Sequence, residues 1–211
     1  MRLFKTALVI LVIAFSMSFT HTINKTSNHM PLSSMDTTVT IPRDYTSVTS
    51  SVIINATKEK VWETMFTNFS EVSNYFYSAL HSECPNDVKG EVGAQRVCYF
   101  NDSKSKYTKE EIIAFAEQEY MYVKVLDAKP KLEAIAKCEL EKQSEGRVLI
   151  TQTLYYKTKP KFVGKVFKGS IKKEFEAALI GMKYFIETGE AVDKKNFKAI
   201  KKAIQKDEAG R

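Results

Sequence analysis

At 211 residues the chain is long enough for one domain plus extra segments. Hydrophobic residues make up 44% and charged residues 27%, the ordinary balance of a globular protein with a core of useful size. The formal net charge is +7, yet arginine, which supplies most bidentate base contacts, is present only as Arg2, Arg43, Arg96, Arg147 and Arg211, and this speaks against a nucleic-acid partner.

In chain order, Met1 to about Thr20 reads as a secretory signal. Arg2 and Lys5 form a positive start, Ala7 to Phe15 is apolar throughout, and Ser16-Met17-Ser18 offers small residues where a signal peptidase cuts. The apolar run falls short of the about 20 residues that span a bilayer. The expected localisation is therefore export, periplasmic or secreted, with an uncleaved N-terminal membrane anchor as the alternative. Residues His21 to Asp44 are rich in Ser, Thr and Asn, carry Pro31 and Pro42, and show no apolar period, so they read as a flexible leader.

The folded domain is expected from Tyr45 to Thr188. Tyr45 to Asn55 is rich in Thr, Val, Ile and Ser and reads as a first strand. Thr57 is placed to cap a helix running to about Asn68, and Val72 to Leu80 reads as a second short helix. His81 to Val88 is a weak segment interrupted by Pro85, and Lys89 to Gly93 is a turn. Strands follow at Ala94 to Phe100, Tyr107 to Phe115, Tyr120 to Ala128, Leu132 to Glu141 and Arg147 to Lys157, with Pro130 and Ser144-Glu145-Gly146 marking connections. Short turns between successive strands imply an antiparallel meander.

A long helix then runs from Phe162 to about Glu187. Val163, Val166, Phe167, Ile171, Phe175, Ala178, Leu179, Met182, Phe185 and Ile186 recur at steps of three and four, while Lys165, Lys172, Glu176, Lys183 and Glu187 take the other face. At 1.5 Å per residue it is roughly 39 Å long, and after a run of strands it belongs across one sheet in an α+β layer. Gly189 is placed to end it. Residues 189–211 form a basic tail, in which Asp193 to Lys206 reads as a short helix with Phe197, Ile200 and Ile204 on one face. From Pro160 to Lys206 there are twelve lysines against four glutamates and one aspartate, an excess equal to that of the whole chain. Such a helix suits weak contact with an anionic membrane, packing on a partner, or a solvated tail.

Catalytic chemistry has little support. His81 is the only histidine of the expected domain, and no His, Cys, Asp or Glu cluster has metal spacing. No glycine-rich loop follows a strand in phosphate-binding form. No catalytic residue, metal or cofactor is assigned. Cys84 and Cys98 lie on segments expected to be neighbours and are the candidate disulfide; Cys138 alternates with Ala134, Ala136 and Leu140 and should face inward, and three free thiols are the alternative. On the last strand Val148, Ile150, Gln152, Leu154 and Tyr156 form the more apolar set and should face the helix, which makes Gln152 a polar group on the inner face. Arg96 is read either as an inward clamp for a carboxylate or as a partner of Glu111 on the next strand, the pairing being preferred.

The order of these elements resembles the START-like helix-grip superfamily, which includes birch-pollen-allergen-like and polyketide cyclase/lipid-transport (SRPBCC) proteins. The resemblance rests on Ser51-Val-Ile-Ile-Asn-Ala-Thr-Lys-Glu-Lys-Val-Trp62, on Gly90-Glu-Val-Gly-Ala-Gln-Arg96, on Glu111-Ile-Ile113 and on Phe175 to Glu187. It implies a helix-grip fold: a curved antiparallel sheet of about seven strands around the C-terminal helix, with two small helices after the first strand, enclosing a cavity. It further implies a binding protein for a hydrophobic or amphiphilic, lipid-like small molecule, or alternatively a polyketide cyclase- or aromatase-like enzyme using the same cavity. The residues expected to line it are Arg96, Tyr120, Tyr122, Ile150, Gln152, Leu154, Tyr156, Phe167, Ile171 and Phe175. A tyrosine pair such as Tyr120 and Tyr122 offers apolar area with a hydroxyl handle.

Overall fold

The computed structural model describes residues 39–129, 131–158 and 161–209 and, within them, every side chain except those at 161–165, 167, 208 and 209. The expected signal, most of the leader, Pro130 and the Phe167 side chain lie outside the described residues.

The first strand, β1 (Thr46–Ile54), alternates strictly: Val48, Ser50 and Ile54 are buried and Thr49, Ser51 and Ile53 are exposed. Helix α1 (Lys58–Trp62) follows, its Thr57 Oγ1 accepting from the Lys60 N–H at 3.3 Å. The segment expected to continue as helix to Asn68 widens instead over Glu63–Thr67, where the Asn68 N–H reaches back five residues to the Glu63 carbonyl at 2.9 Å. The second short helix expected over Val72 to Leu80 is a 3₁₀ turn at Phe69–Asn74. A serine hydroxyl competes there: the Ser73 N–H donates to Ser82 Oγ at 3.2 Å.

Six strands complete the sheet: β2 (His81–Glu83), β3 (Gln95–Tyr99), β4 (Tyr107–Ala116), β5 (Tyr120–Lys129), β6 (Glu133–Ser144) and β7 (Arg147–Lys157). The order is β1-β7-β6-β5-β4-β3-β2, antiparallel throughout. Thus β2 to β7 form a meander, and β1 returns to pair with its last strand. Helix α2 (Lys161–Thr188) lies against β1 and β7. This is the helix-grip α+β architecture, with seven strands. Two glycines fit α2 into place. A side chain on Gly181 would put a carbon 2.1 Å from the Tyr75 carbonyl oxygen, so only glycine lets the helix approach the 3₁₀ turn. Gly189, at φ +79°, ends the helix with its N–H on the Phe185 carbonyl at 2.8 Å.

The long helix departs from its expected faces at two places. Val166 is 72% exposed, beyond the cover of the sheet. Lys183 and Glu187, expected in solvent, turn toward the end of β1. The Lys183 ammonium donates to the Ile53 carbonyl at 2.8 Å and to Glu187 at 2.6 Å, and Glu187 accepts from the Asn55 N–H at 2.6 Å. The pair thus satisfies backbone groups where the first ladder stops. Helix α3 (Phe197–Ala209) is docked through its apolar face: Phe197 stacks on Tyr77 with centroids 4.2 Å apart, and Ile200 is buried. Its lysines Lys198, Lys202 and Lys206 remain in solvent. No helix among the described residues is long and apolar enough to cross a membrane.

Candidate functional site

The inner face of the sheet carries two separate apolar clusters. One gathers Ile54, Val61, Trp62, Met65, Ile150 and Ile186 with their neighbours, at the end closed by α1. The other is small: Val48, Ala134, Leu154 and Tyr156, with Val125, Leu132, Ile171 and Phe175 packed on it. Ala136, half-buried, touches both. The rung between them is polar. Ser50 on β1 stands opposite Gln152 on β7, and Gln152 opposite Cys138 on β6. Residues opposed across antiparallel strands share a face, so these three side chains adjoin.

Their bonding is incomplete. The Gln152 carboxamide hydrogen-bonds the Cys138 thiol, whose pKa burial pushes up to about 12 against the opposing pull of Arg96 and of that bond. Ser50 is 8% exposed, and its hydroxyl oxygen has no hydrogen-bond partner among the described residues. A buried hydroxyl left unpaired costs about 1–3 kcal/mol.

A second polar group lies on β3 and β4, and it is fully engaged. Arg96 Nε and Nη2 each approach Glu110 Oε2 at 2.7 Å, Nη1 donates to the Phe69 carbonyl at 3.2 Å, and the guanidinium sits 4.1 Å over the Phe69 ring. Burial opposes its charge, but Glu110, helped by Cys98 and Tyr75, more than offsets this and raises its pKa. The Tyr75 phenol, bonded to Arg96, is raised to about 12, burial outweighing the pull of the guanidinium. Deep as the pair is, the side chains of Arg96 and Glu110 keep 15% and 16% of their accessible surface.

The expected pairing of Arg96 with Glu111 is off by one residue. The register sets Arg96 against Glu110 and Gln95 against Glu111, and Gln95 Nε2 donates to Glu111 at 2.6 Å. Glu110 shares its face with the buried Ile112, so the inward carboxylate is the first of the doublet. Tyr120 and Tyr122 also do not face the helix. Met121 and Val123 point into the core, and the two tyrosines lie outside, edge to face at 5.6 Å, with the Lys137 ammonium 5.6 Å from each ring. Of the expected lining, Arg96, Ile150, Gln152, Leu154 and Tyr156 are on the inner face, with Ile171 and Phe175 opposite them on α2. Cys84, Cys98 and Cys138 are free thiols. Ser82, not Cys84, is the direct partner of Cys98 across β2 and β3, which leaves the candidate disulfide unformed.

Ser50, Glu110, Tyr75 and Phe69 were not singled out from sequence. Parity with Val48 and Ile54 marks Ser50, and parity with Ile112 marks Glu110. Nothing local marks Tyr75 or Phe69, which arrive by the fold of the 3₁₀ turn. Outside the sheet, a shallow cleft of about 230 Å³ is lined by Lys60, Glu63, Asn68, Tyr75, Phe185 and Ile186, among others. Among the described residues no three His, Cys, Asp or Glu side chains gather as a metal site requires.

No family profile and no curated protein matches the chain. Solved structures do. A protein from Thermobifida fusca, determined in solution by NMR, shares 15% identity over 66% of this chain and 92% of its own, at a TM-score of 0.56. A Nitrosospira multiformis protein shares 13% over 68% of this chain and 98% of its own, at 0.53. Ginseng major latex-like protein 151 from Panax ginseng shares 16% over 63% and 97%, at 0.46. At these identities the likeness is one of fold alone.

Proposed function

We propose that the chain is a binding protein of the START-like superfamily that holds a hydrophobic or amphiphilic small molecule between the sheet and α2. The observation that carries this reading is the division of the inner face into two apolar clusters, with half-buried Ala136 and Gln152 and an unpaired Ser50 hydroxyl between them. Protein interiors are close-packed, and inner-face side chains that retain accessible surface mark a place where packing stops. Leu154, Ile171 and Phe175 on one side and Val52 on the other supply the apolar walls, backed by the fully buried Tyr156 and Ile150. Burial of ligand surface at about 25 cal/mol per Å² supplies the affinity. Folds of this kind commonly enclose apolar molecules, which agrees with the reading without naming the ligand.

The Met1 to Thr20 segment adds export to the proposal, and the lysines of α3 offer an electrostatic contact with anionic membranes. That contact is limited to charge, because Phe197 is stacked on Tyr77 and Ile200 is buried in the domain. A cyclase-like enzyme is the second reading. It is kept by the titratable Arg96, Glu110 and Tyr75 of the interior and weakened by their mutual engagement. The test is thermal melting of the purified protein with a panel of fatty acids, fatty alcohols, sterols and aromatic polyketides. A rise in melting temperature with one class is the expected result, and a flat response across the panel overturns the proposal. Conversion of a polyketide, followed by mass spectrometry, would favour the enzyme.

A further inference from the structure

Resting on that reading, we propose that Ser50 and Gln152 form a hydrogen-bonding subsite for the oxygen of an uncharged ligand, a hydroxyl or carbonyl on an otherwise apolar body. Three observations lead there.

First, the rung sits between the two apolar clusters rather than at a rim. Along β1 it is flanked by Val48 and Val52, and along β7 by Ile150 and Leu154. A ligand bridging the clusters passes over it with its middle, not its end. Second, the rung is under-bonded. A carboxamide has two donors and an acceptor, and a serine hydroxyl has one donor and two lone pairs. The Cys138 thiol takes one contact from Gln152, and the Ser50 hydroxyl has none. A ligand hydroxyl or carbonyl would supply what both lack.

Third, the two buried cations among the described residues are already committed. The Arg96 guanidinium is committed to Glu110 and the Phe69 carbonyl, and the Lys183 ammonium to Glu187 and the Ile53 carbonyl. The pairs are neutral, and Glu110 would repel a second carboxylate. An ionised group brought in without a counter-charge is strongly penalised. The subsite therefore selects an alcohol, ketone or ester over the corresponding acid.

The test uses lauryl alcohol, laurate and dodecane as chain probes, and cholesterol against cholesteryl sulfate as ring probes. Each is titrated at neutral pH into the purified chain and into Gln152→Leu and Ser50→Ala, with circular dichroism to show that each variant is folded. The wild type is expected to bind the neutral member of its preferred pair tighter than the anionic one. Gln152→Leu is expected to weaken the alcohol or sterol by roughly ten-fold while leaving dodecane unchanged, with a smaller loss for Ser50→Ala. Tighter binding of laurate or the sulfate overturns the subsite and leaves the cavity standing, as does an equal effect of Gln152→Leu on alcohol and alkane. Absence of binding by every probe removes both.

Discussion

Two of the polar groups in the interior differ in how far they are satisfied. Around Arg96 all three guanidinium nitrogens have a partner: Nε and Nη2 meet Glu110, Nη1 meets the Phe69 carbonyl, and the Phe69 ring lies against the group. Around the Ser50 hydroxyl the bonding is open, and Gln152 beside it is bonded to the Cys138 thiol. A closed network of this kind fixes the 3₁₀ turn onto β3 and β4 and has nothing left to offer a ligand. An open rung contributes no stability to the empty fold and gains partners only when something fills the space above it. The lesson is that inward polar residues of such a fold are to be sorted by satisfaction, not by burial.

The largest effect should come from breaking the closed network. Glu110→Leu leaves the Arg96 charge buried without its counter-charge and is expected to cost about 3–5 kcal/mol in chemical denaturation. Alkaline pH attacks both groups. Burial pushes the Cys98 and Cys138 thiols from their ordinary 9.0 up to about 12, and the Tyr75 phenol from 10.0 to about 12. Each is an acid whose folded-state pKa exceeds its unfolded value. Its contribution is whole below about pH 9 and lost as the pH rises toward 12, because the unfolded chain releases the proton first. Melting temperature should therefore fall over that window, and Cys138→Ala should flatten the fall. Of the three thiols, half-buried Cys84 should be alkylated first under native conditions.

The open rung should respond in the opposite sense. Ser50→Ala removes a buried hydroxyl that has no partner, so the ligand-free protein should be unchanged or stabilised by up to about 1 kcal/mol in thermal melting. A loss of stability greater than that would mean the hydroxyl is bonded after all. The smallest effect belongs outside the sheet. Tyr122→Ala forfeits a half-buried contact with Lys137 on the outer face, worth about 0.5–1 kcal/mol, and should leave ligand uptake unchanged.

The fold was legible in the chain because its signals are periodic. Alternation along Arg147 to Lys157 orients β7 correctly, and the three-and-four spacing finds α2. Where periodicity is short or interrupted, local reading fails. The six-residue 3₁₀ turn at Phe69–Asn74 passes for the start of a helix, since the competition from Ser82 comes from a strand eight residues further on. The site is less legible for a geometric reason. A shift of one residue exchanges the faces of a strand, so the Glu110-Glu111 doublet is ambiguous until Ile112 is known to be buried. The irregularities in the β4 and β5 pairing add to this, because alternation does not carry across them. Tyr120 and Tyr122 were drawn inward by their chemistry, while Met121 and Val123 beside them hold the core. The Lys183–Glu187 pair looks like solvated i, i+4 charge from the helix pattern alone; only the end of β1 explains it.

The central claim is that the interior between the two clusters is open to a ligand, and Ala136 touches both sides of it. The direct measurement compares the wild type and Ala136→Phe by native mass spectrometry and melting temperature. If the space is real, the added ring fills it: the ligand-free protein should melt within a few degrees of wild type, and any mass bound by the wild type should be lost. If the core is solid, overpacking should cost about 1–3 kcal/mol. A steep drop in melting temperature with the bound mass retained, or a wild type that carries and takes up nothing, would contradict the account.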